Sequence, residues 1–160
     1  MRVGQGYDIH PLREGRPLIL GGVAIPHSQG LDGHSDADVL THAVCDALLG
    51  AMGEGDLGTR YPSNNSEYKN LSSLVMLRNV VQTLGDKGFY LVNLDTVILA
   101  QAPKLAPYMG LIQESLAKVL EVSLSQVNVK VKSGEGIGMI GRAEGIATMA
   151  ICLIECVPPL

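Results

Sequence analysis

Tryptophan is absent from this 160-residue chain, phenylalanine occurs once and aromatic residues make up only 4%, so stacking platforms for single-stranded nucleic acid are scarce. Basic residues number 12 against 16 acidic ones and lie scattered, which leaves no run to grip a nucleic-acid backbone or an anionic membrane surface. No apolar stretch approaches the roughly 20 residues of a membrane-spanning helix; the longest lies near the C-terminus and is interrupted by Glu155. Cysteine is scarce and odd in number. Cys45, Cys152 and Cys156 follow no charged-then-apolar leader, which implies a reducing, cytoplasmic setting without disulfides. Any polyanionic ligand must therefore be met by local positive groups.

What is present is a core. An apolar content of 46% suffices for one domain, read as residues 1–160, without metal or disulfide staples. Residues 2–10 read as a first strand, and residues 18–20 and 23–25 as short strands punctuated by Gly21-Gly22 and Pro26, a hairpin-like start. Residues 36–52 read as a helix with Ser35 as its cap and Asp38 completing a capping box. Residues 54–70, rich in Gly, Pro, Ser and Asn, form a long loop suited to a lid. Leu71, Leu74, Leu77, Val81 and Leu84 recur at helical spacing. A strand over residues 89–100, a helix over 107–122, an alternating strand at Val127, Val129 and Val131, a glycine-rich loop over 134–145 and a strand over 146–157 complete a mixed α/β domain.

Chemistry concentrates at three histidines and their neighbours. In a strand, side chains two apart share a face, so Asp8 and His10 can meet one ion. His42, early in the first helix, completes two imidazoles and a carboxylate, a set that suits zinc and leaves a coordination position open. Asp38 and Asp46, each four residues from His42, offer an acceptor for its second ring N–H. Spacing alone leaves the other reading open, a helix histidine that merely has a carboxylate neighbour. His34 and Ser35, at the mouth of that helix, suit a phosphate on free backbone N–H groups. Residues 136–141 match Gly-x-Gly-x-x-Gly. Only 19 residues follow Gly141, however, too few for a dinucleotide fold, so a local phosphate or turn role fits better. Lys104, just past a strand end, and Arg142, after the glycine loop, are candidate phosphate contacts.

Taken in order, Arg2-Val3-Gly4-x-Gly6-Tyr7-Asp8-Ile9-His10, the run from Gly33 to Ala43, Gly55-Asp56-Leu57-Gly58, Ala100-Gln101-Ala102-Pro103-Lys104, Val127-Asn128-Val129-Lys130 and Gly141-Arg142-Ala143-Glu144-Gly145-Ile146-Ala147 resemble the 2-C-methyl-D-erythritol 2,4-cyclodiphosphate synthase family over nearly the whole chain. That resemblance implies an α/β, α+β-like fold: a mixed four- to five-stranded sheet covered by helices on one side, assembling as a homotrimer with active sites between subunits. It implies a cyclising phosphoryl transfer that releases CMP, a phosphorus–oxygen lyase step in non-mevalonate isoprenoid synthesis. Asp8, His10 and His42 would hold zinc, and Glu135 a second divalent ion, magnesium or manganese, on the substrate diphosphate. His34 and Ser35 would bind phosphates; Asp56, Leu57, Gly58, Tyr61, Ser63 and Asn65 would line the erythritol side. Ala100, Pro103, Lys104, Leu105 and Ala106, with Lys132 and Ser133, would form the cytidine and diphosphate pocket. His34 and Ser133 would steady the transition state. Met139 and Arg142 would approach a central cavity able to take an isoprenoid diphosphate.

The chain departs from the family pattern at several points. Tyr61-Pro62-Ser63 replaces Phe-Pro-Asp and so removes a carboxylate, Lys132-Ser133 replaces a Thr pair, Gln5 stands for His and Met139 for Phe. The chain starts almost at the first motif, from which no transit segment is expected. Two competing readings remain at this level. One is a zinc hydrolase whose open position holds an activated water, with Glu54, Asp46 or Asp56 as base. The other is a non-catalytic trimer that captures CMP or isoprenoid diphosphates.

Overall fold

The computed structural model describes residues 1–62, 64, 68 and 71–157. Its centre is a mixed five-stranded sheet in the order β4-β1-β7-β5-β6. β1 (Arg2–Glu14) runs antiparallel to β7 (Gly145–Cys156), and its end pairs with β4 (Gln29–Leu31). β5 (Phe89–Leu99) is antiparallel to β7 and parallel to β6 (Val127–Lys132). β2 (Leu18–Leu20) and β3 (Val23–Ile25) form a separate pair joined by Gly21-Gly22. Both of these glycines have positive φ, 59° and 75°, the combination a two-residue hairpin turn demands.

Helices cover one face. α1 (Val39–Met52) lies on β1 and β7, α3 (Ser73–Asp86) beside it, and α4 (Met109–Leu120) over β6. Two four-residue turns, α2 (Leu57–Arg60) and α5 (Gly138–Gly141), sit inside stretches that the sequence reads as loops. The opposite face is open and partly apolar: Val3, Tyr7, Met149 and Ile151 are exposed.

One seam sets the geometry of the whole molecule. β1 presents Gly4 and Gly6 to α1, and α1 returns Ala43, Ala47 and Ala51 at four-residue spacing, one above the other on a single face. A Cβ on Gly4 would lie 1.8 Å from the Ala47 carbonyl oxygen, and one on Gly6 would lie 1.9 Å from that of Ala43. Backbone therefore rests on backbone. Positions 4, 6, 8 and 10 share a face of β1, so the same alternation aims Asp8 and His10 at α1, where His42 precedes Ala43.

The start of α1 corrects the sequence reading. The helix begins at Val39 and is capped by Asp38, whose carboxylate accepts the Thr41 N–H at 3.0 Å; Ser35 is not the cap. The same buried carboxylate accepts the Gly21 and Gly22 N–H groups at 2.9 and 2.7 Å and the Thr41 hydroxyl at 2.7 Å. Burial pushes its carboxyl above the usual range, and the Thr41 and Gly22 donors pull against that. Sequence could not separate Ser35, Asp36 and Asp38 as caps, because the deciding donors come from the distant Gly21-Gly22 turn. Further along, the expected helix over 107–122 is a 3-10 turn (Ala106–Tyr108) followed by α4, which ends where Glu121 takes a left-handed φ of 57°. Three cysteines are free, as expected, and no helix among the described residues is long and apolar enough to cross a membrane.

Candidate active site

Asp8, His10 and His42 converge: one ligand atom from each lies within 4.8 Å of the others. The Asp8 Oδ2 is 3.0 Å from both His10 Nε2 and His42 Nδ1, and those two nitrogens are 3.3 Å apart. His10 Nδ1 faces the Asp32 carbonyl at 2.9 Å. A carbonyl only accepts, so Nδ1 carries a proton, and an ion bound between the three residues would meet the Nε2 lone pair of the neutral ring. Gly33 lets this loop lie against the ring: a Cβ there would be 2.8 Å from His10 Cε1. Burial alone would raise the Asp8 carboxyl, yet hydrogen bonds from His10 and His42 hold it well below the usual carboxylate range. Burial likewise opposes protonation of His10, while its bond to Asp8 raises its pKa above the ordinary imidazole value. One carboxylate kept ionised and two inward nitrogens make a donor set that fits a divalent ion such as zinc.

These residues floor an open cavity of about 270 Å³, whose walls include His34, Ser35, Asp46, Leu57, Gly58, Tyr61, Tyr68 and Met76. The His34–Ser35 loop is held from behind by Arg16, which donates to the carbonyls of Leu31, Gly33 and Ser35 at 3.1, 3.1 and 3.2 Å. On the far wall, Asp46 accepts the Leu57 N–H at 2.7 Å, and Asp56 caps α2 through the Thr59 N–H at 2.7 Å. Glu54 pairs with Lys87, just past the end of α3, at 2.6 Å and with Arg60 of α2 at 3.2 Å. Burial pushes the Asp46 carboxyl up, against the pull of the Leu57 N–H.

Two expectations change here. Neither Asp38 nor Asp46 supports His42: the first is committed to the Gly21-Gly22 turn and the second to Leu57. The outer nitrogen of His42 instead meets the hydroxyls of Ser73 at 2.8 Å and Ser35 at 3.1 Å, and the Ser73 hydroxyl donates to Asp36. Ser73 and Asp36 were missed because they stand 31 and 6 residues from His42, at no spacing that a helix or strand pattern flags. The anion site at the mouth of α1 also moves. The first turn of the helix faces the Asp38 carboxylate, so His34 and Ser35 reach the cavity from a loop rather than from a helix end.

The remaining expected residues form a second group at the ends of β5 and β6. The Ala100 N–H bonds to the Lys132 carbonyl at 3.0 Å, and the Ser133 hydroxyl donates to Glu135, which takes a φ of 49°. Lys104 is exposed, Pro103 follows a cis peptide bond, and Ala106 opens the 3-10 turn, while the Ala100 and Leu105 side chains are buried in the core. Met139 is exposed in α5, and Arg142 pairs with Glu144 at 2.6 Å. None of this second group lines the cavity of the same chain. Ser63 and Asn65 lie outside the described residues.

The sequence model of the YgbB family matches residues 1–155. The chain is 51% identical over 155 residues to the 2-C-methyl-D-erythritol 2,4-cyclodiphosphate synthase of Syntrophomonas wolfei, covering 97% of this chain and 99% of that one. It is 54% identical over 151 residues to the enzyme of the same name from Alkaliphilus metalliredigens, covering 94% and 95%. Among solved structures, the bifunctional IspDF of Campylobacter jejuni matches with a TM-score of 0.93 at 39% identity; the match covers 97% of this chain and 42% of that longer one. The Plasmodium falciparum IspF, solved as a CDP complex, matches with a TM-score of 0.87 at 34% identity over 98% and 97% of the two chains.

Proposed function

The chain belongs to the YgbB family, and from that premise we propose that it converts 4-diphosphocytidyl-2-C-methyl-D-erythritol 2-phosphate to 2-C-methyl-D-erythritol 2,4-cyclodiphosphate with release of CMP. This is a phosphorus–oxygen lyase reaction of non-mevalonate isoprenoid biosynthesis, carried by residues 1–160 as a single domain. The observation that carries the reading is the convergence of Asp8, His10 and His42 on the floor of a cavity whose walls bear His34, Ser35 and Gly58.

The reaction balances without a protein base. An oxygen of the substrate's 2-phosphate, already anionic, forms a bond to the β-phosphorus, and the bond from that phosphorus to the CMP oxygen breaks with its electron pair leaving on CMP. No proton need move, so the protein's task is positioning and charge stabilisation. Asp8, His10 and His42 would hold zinc, and Glu135 a magnesium or manganese ion on the diphosphate; ions so held supply Lewis acidity toward phosphate oxygens. His34 and Ser35 seat the phosphates on the erythritol side, and Asp56, Leu57 and Gly58 take its hydroxyls, with Tyr61, Ser63 and Asn65 assigned to the same substrate moiety by the family pattern. Ala100, Pro103, Leu105 and Ala106 hold the cytidine, Ala100 and Leu105 through their backbone alone because their side chains are buried. Lys104, Lys132 and Ser133 hold the diphosphate, and His34 and Ser133 steady the transition state. These cations and ions supply locally the positive charge that a chain of net charge −4 lacks overall.

Homotrimeric assembly is part of the proposal. β1, which carries Asp8 and His10, is separated from β6 by β7 and β5, three inter-strand steps or roughly 14 Å at about 4.8 Å each. The cavity of one subunit would then be completed by the β5–β6 end of a neighbour. The exposed Val3, Tyr7, Met149 and Ile151 offer apolar surface for that association, and Met139 with Arg142 would approach a central space able to take an isoprenoid diphosphate. A cytoplasmic setting fits the free thiols.

A hydrolase reading finds less support. Two of the carboxylates it would cast as base are already engaged, Glu54 with Lys87 and Arg60 and Asp46 with Leu57, and the third, Asp56, is the one assigned to the substrate hydroxyls. Turnover of the cytidine substrate in oxygen-18 water tests the choice. Stoichiometric CMP and an unlabelled cyclic diphosphate are expected; label in the product, or no CMP from metal-loaded protein, would overturn the cyclisation.

A further inference from the structure

We propose that Ser73 and Asp36 are positioning residues for the metal: a hydrogen-bond relay that fixes His42 in the tautomer and ring orientation able to ligate. The relay rests on the metal reading of the Asp8, His10 and His42 site. Its direction follows from proton inventory. A neutral imidazole has one N–H and one lone pair, and His42 Nδ1 is the nitrogen that faces Asp8 Oδ2 at 3.0 Å and His10 Nε2 at 3.3 Å. If Nδ1 supplies the lone pair, Nε2 must carry the proton and needs an acceptor. The Ser73 hydroxyl oxygen lies 2.8 Å away, and its own hydrogen is already directed to the Asp36 Oδ1, which accepts it. Each donor then has one acceptor along His42, Ser73 and Asp36.

Asp36 is itself locked in place. Its second oxygen accepts the Ser73 backbone N–H at 2.9 Å, so the carboxylate sits on the first residue of α3 and faces the positive end of that fourteen-residue helix. The local cap position, Ser72, makes no side-chain bond there, which leaves the end of α3 to a residue from a different loop. Asp36 also accepts the Asp38 N–H at 3.2 Å, joining the relay to the start of α1. Ser73 is fully buried, so water does not compete for His42 Nε2 from that side. Ser35 is the weaker alternative at 3.1 Å, and its oxygen already takes the Ala37 N–H at 3.3 Å. With Ser73 holding His42, the Ser35 hydroxyl hydrogen is free to turn to a ligand in the cavity it lines.

The relay assigns distinct jobs to two serines that sequence inspection does not separate. It is tested on the full chain by zinc competition against a chromophoric chelator, by the visible spectrum of the cobalt-substituted protein and by thermal melting. Wild-type protein comes first: failure to bind zinc would overturn the metal reading itself. Ser73→Ala is expected to weaken zinc about 10- to 100-fold, the range for losing an outer hydrogen-bond partner, and to shift the cobalt bands as the ring swings toward Ser35. Asp36→Asn, which keeps shape but removes the anionic acceptor, should weaken zinc several-fold, and Ser72→Ala not at all. A merely structural role would lower the melting temperature while leaving zinc affinity and the cobalt bands of the folded protein untouched. That result, with wild-type zinc binding intact, would overturn the relay alone. Should Ser73→Ala fail to fold, Asp36→Asn decides, and unchanged zinc affinity in that variant overturns the proposal.

Discussion

The two groups of site residues are built on opposite principles. Around β1 and α1, the ligand rings and the main chain that flanks them are restrained: His10 by Asp32, His42 by Ser73, the carbonyls of the 31–35 loop by Arg16, and the Leu57 N–H by Asp46. Among the described residues, no buried side-chain polar atom lacks a partner, so this half is complete within one chain before any ligand arrives. At the ends of β5 and β6, Lys104, Lys132 and Ser133 stand exposed, and Glu135 accepts from its neighbour Ser133. The first half is preorganised in a way that fits an ion, whereas the second presents exposed charge. A polyanionic substrate spanning the two would be gripped rigidly at one end and by solvated, adaptable cations at the other.

That contrast can be broken deliberately. The largest effect is expected from His42→Ala, which leaves two ligands. Zinc content by metal analysis and CMP release should fall together, by more than the ~10²-fold that losing an outer partner costs. Full zinc stoichiometry in that variant would remove the distinction altogether. Gly6→Ala should come next. Its new methyl meets the Ala43 carbonyl at 1.9 Å, so α1 must move off β1, at a cost of about 3 kcal/mol or more visible in the urea midpoint. Lys104→Ala strikes the other half. Losing one charge-assisted contact of about 1.5–3 kcal/mol should raise KM roughly 10- to 100-fold with zinc content unchanged, and loss of zinc there would show that the halves are not separable. The smallest effect belongs to Lys130→Ala. Its pairing with Asp95 is a surface contact, worth less than about 1 kcal/mol, and neither zinc content nor KM should move.

How much of this was legible beforehand depended on whether a partner was local. Asp8 and His10 could be paired from sequence because strand alternation is a local rule, and the α1 face carrying His42 followed from helical spacing. Where the partner came from elsewhere, inspection failed. Asp38 looked like support for His42 until the Gly21-Gly22 amides claimed it, and nothing local singled out Ser73. Leu105 was placed in a pocket by the family resemblance, yet its side chain fills the core. β4 escaped notice because three residues holding one strand edge leave no periodicity to detect. The glycines at positions 4 and 6 were quoted as a motif, but their reason is steric and appears only once α1 lies on them.

That seam carries a further consequence for metal choice. Because carbonyl oxygens of α1 sit where Cβ atoms of β1 would be, the gap between the ligands on β1 and the ligand on α1 is a fixed thickness of main chain. Side-chain rotamers can adjust it little. Discrimination between ions of different radius thus becomes a property of the scaffold: a change at Gly4, two residues before the seam's second glycine and four before Asp8, should alter the ratio of zinc to cadmium affinity while every ligand stays in place.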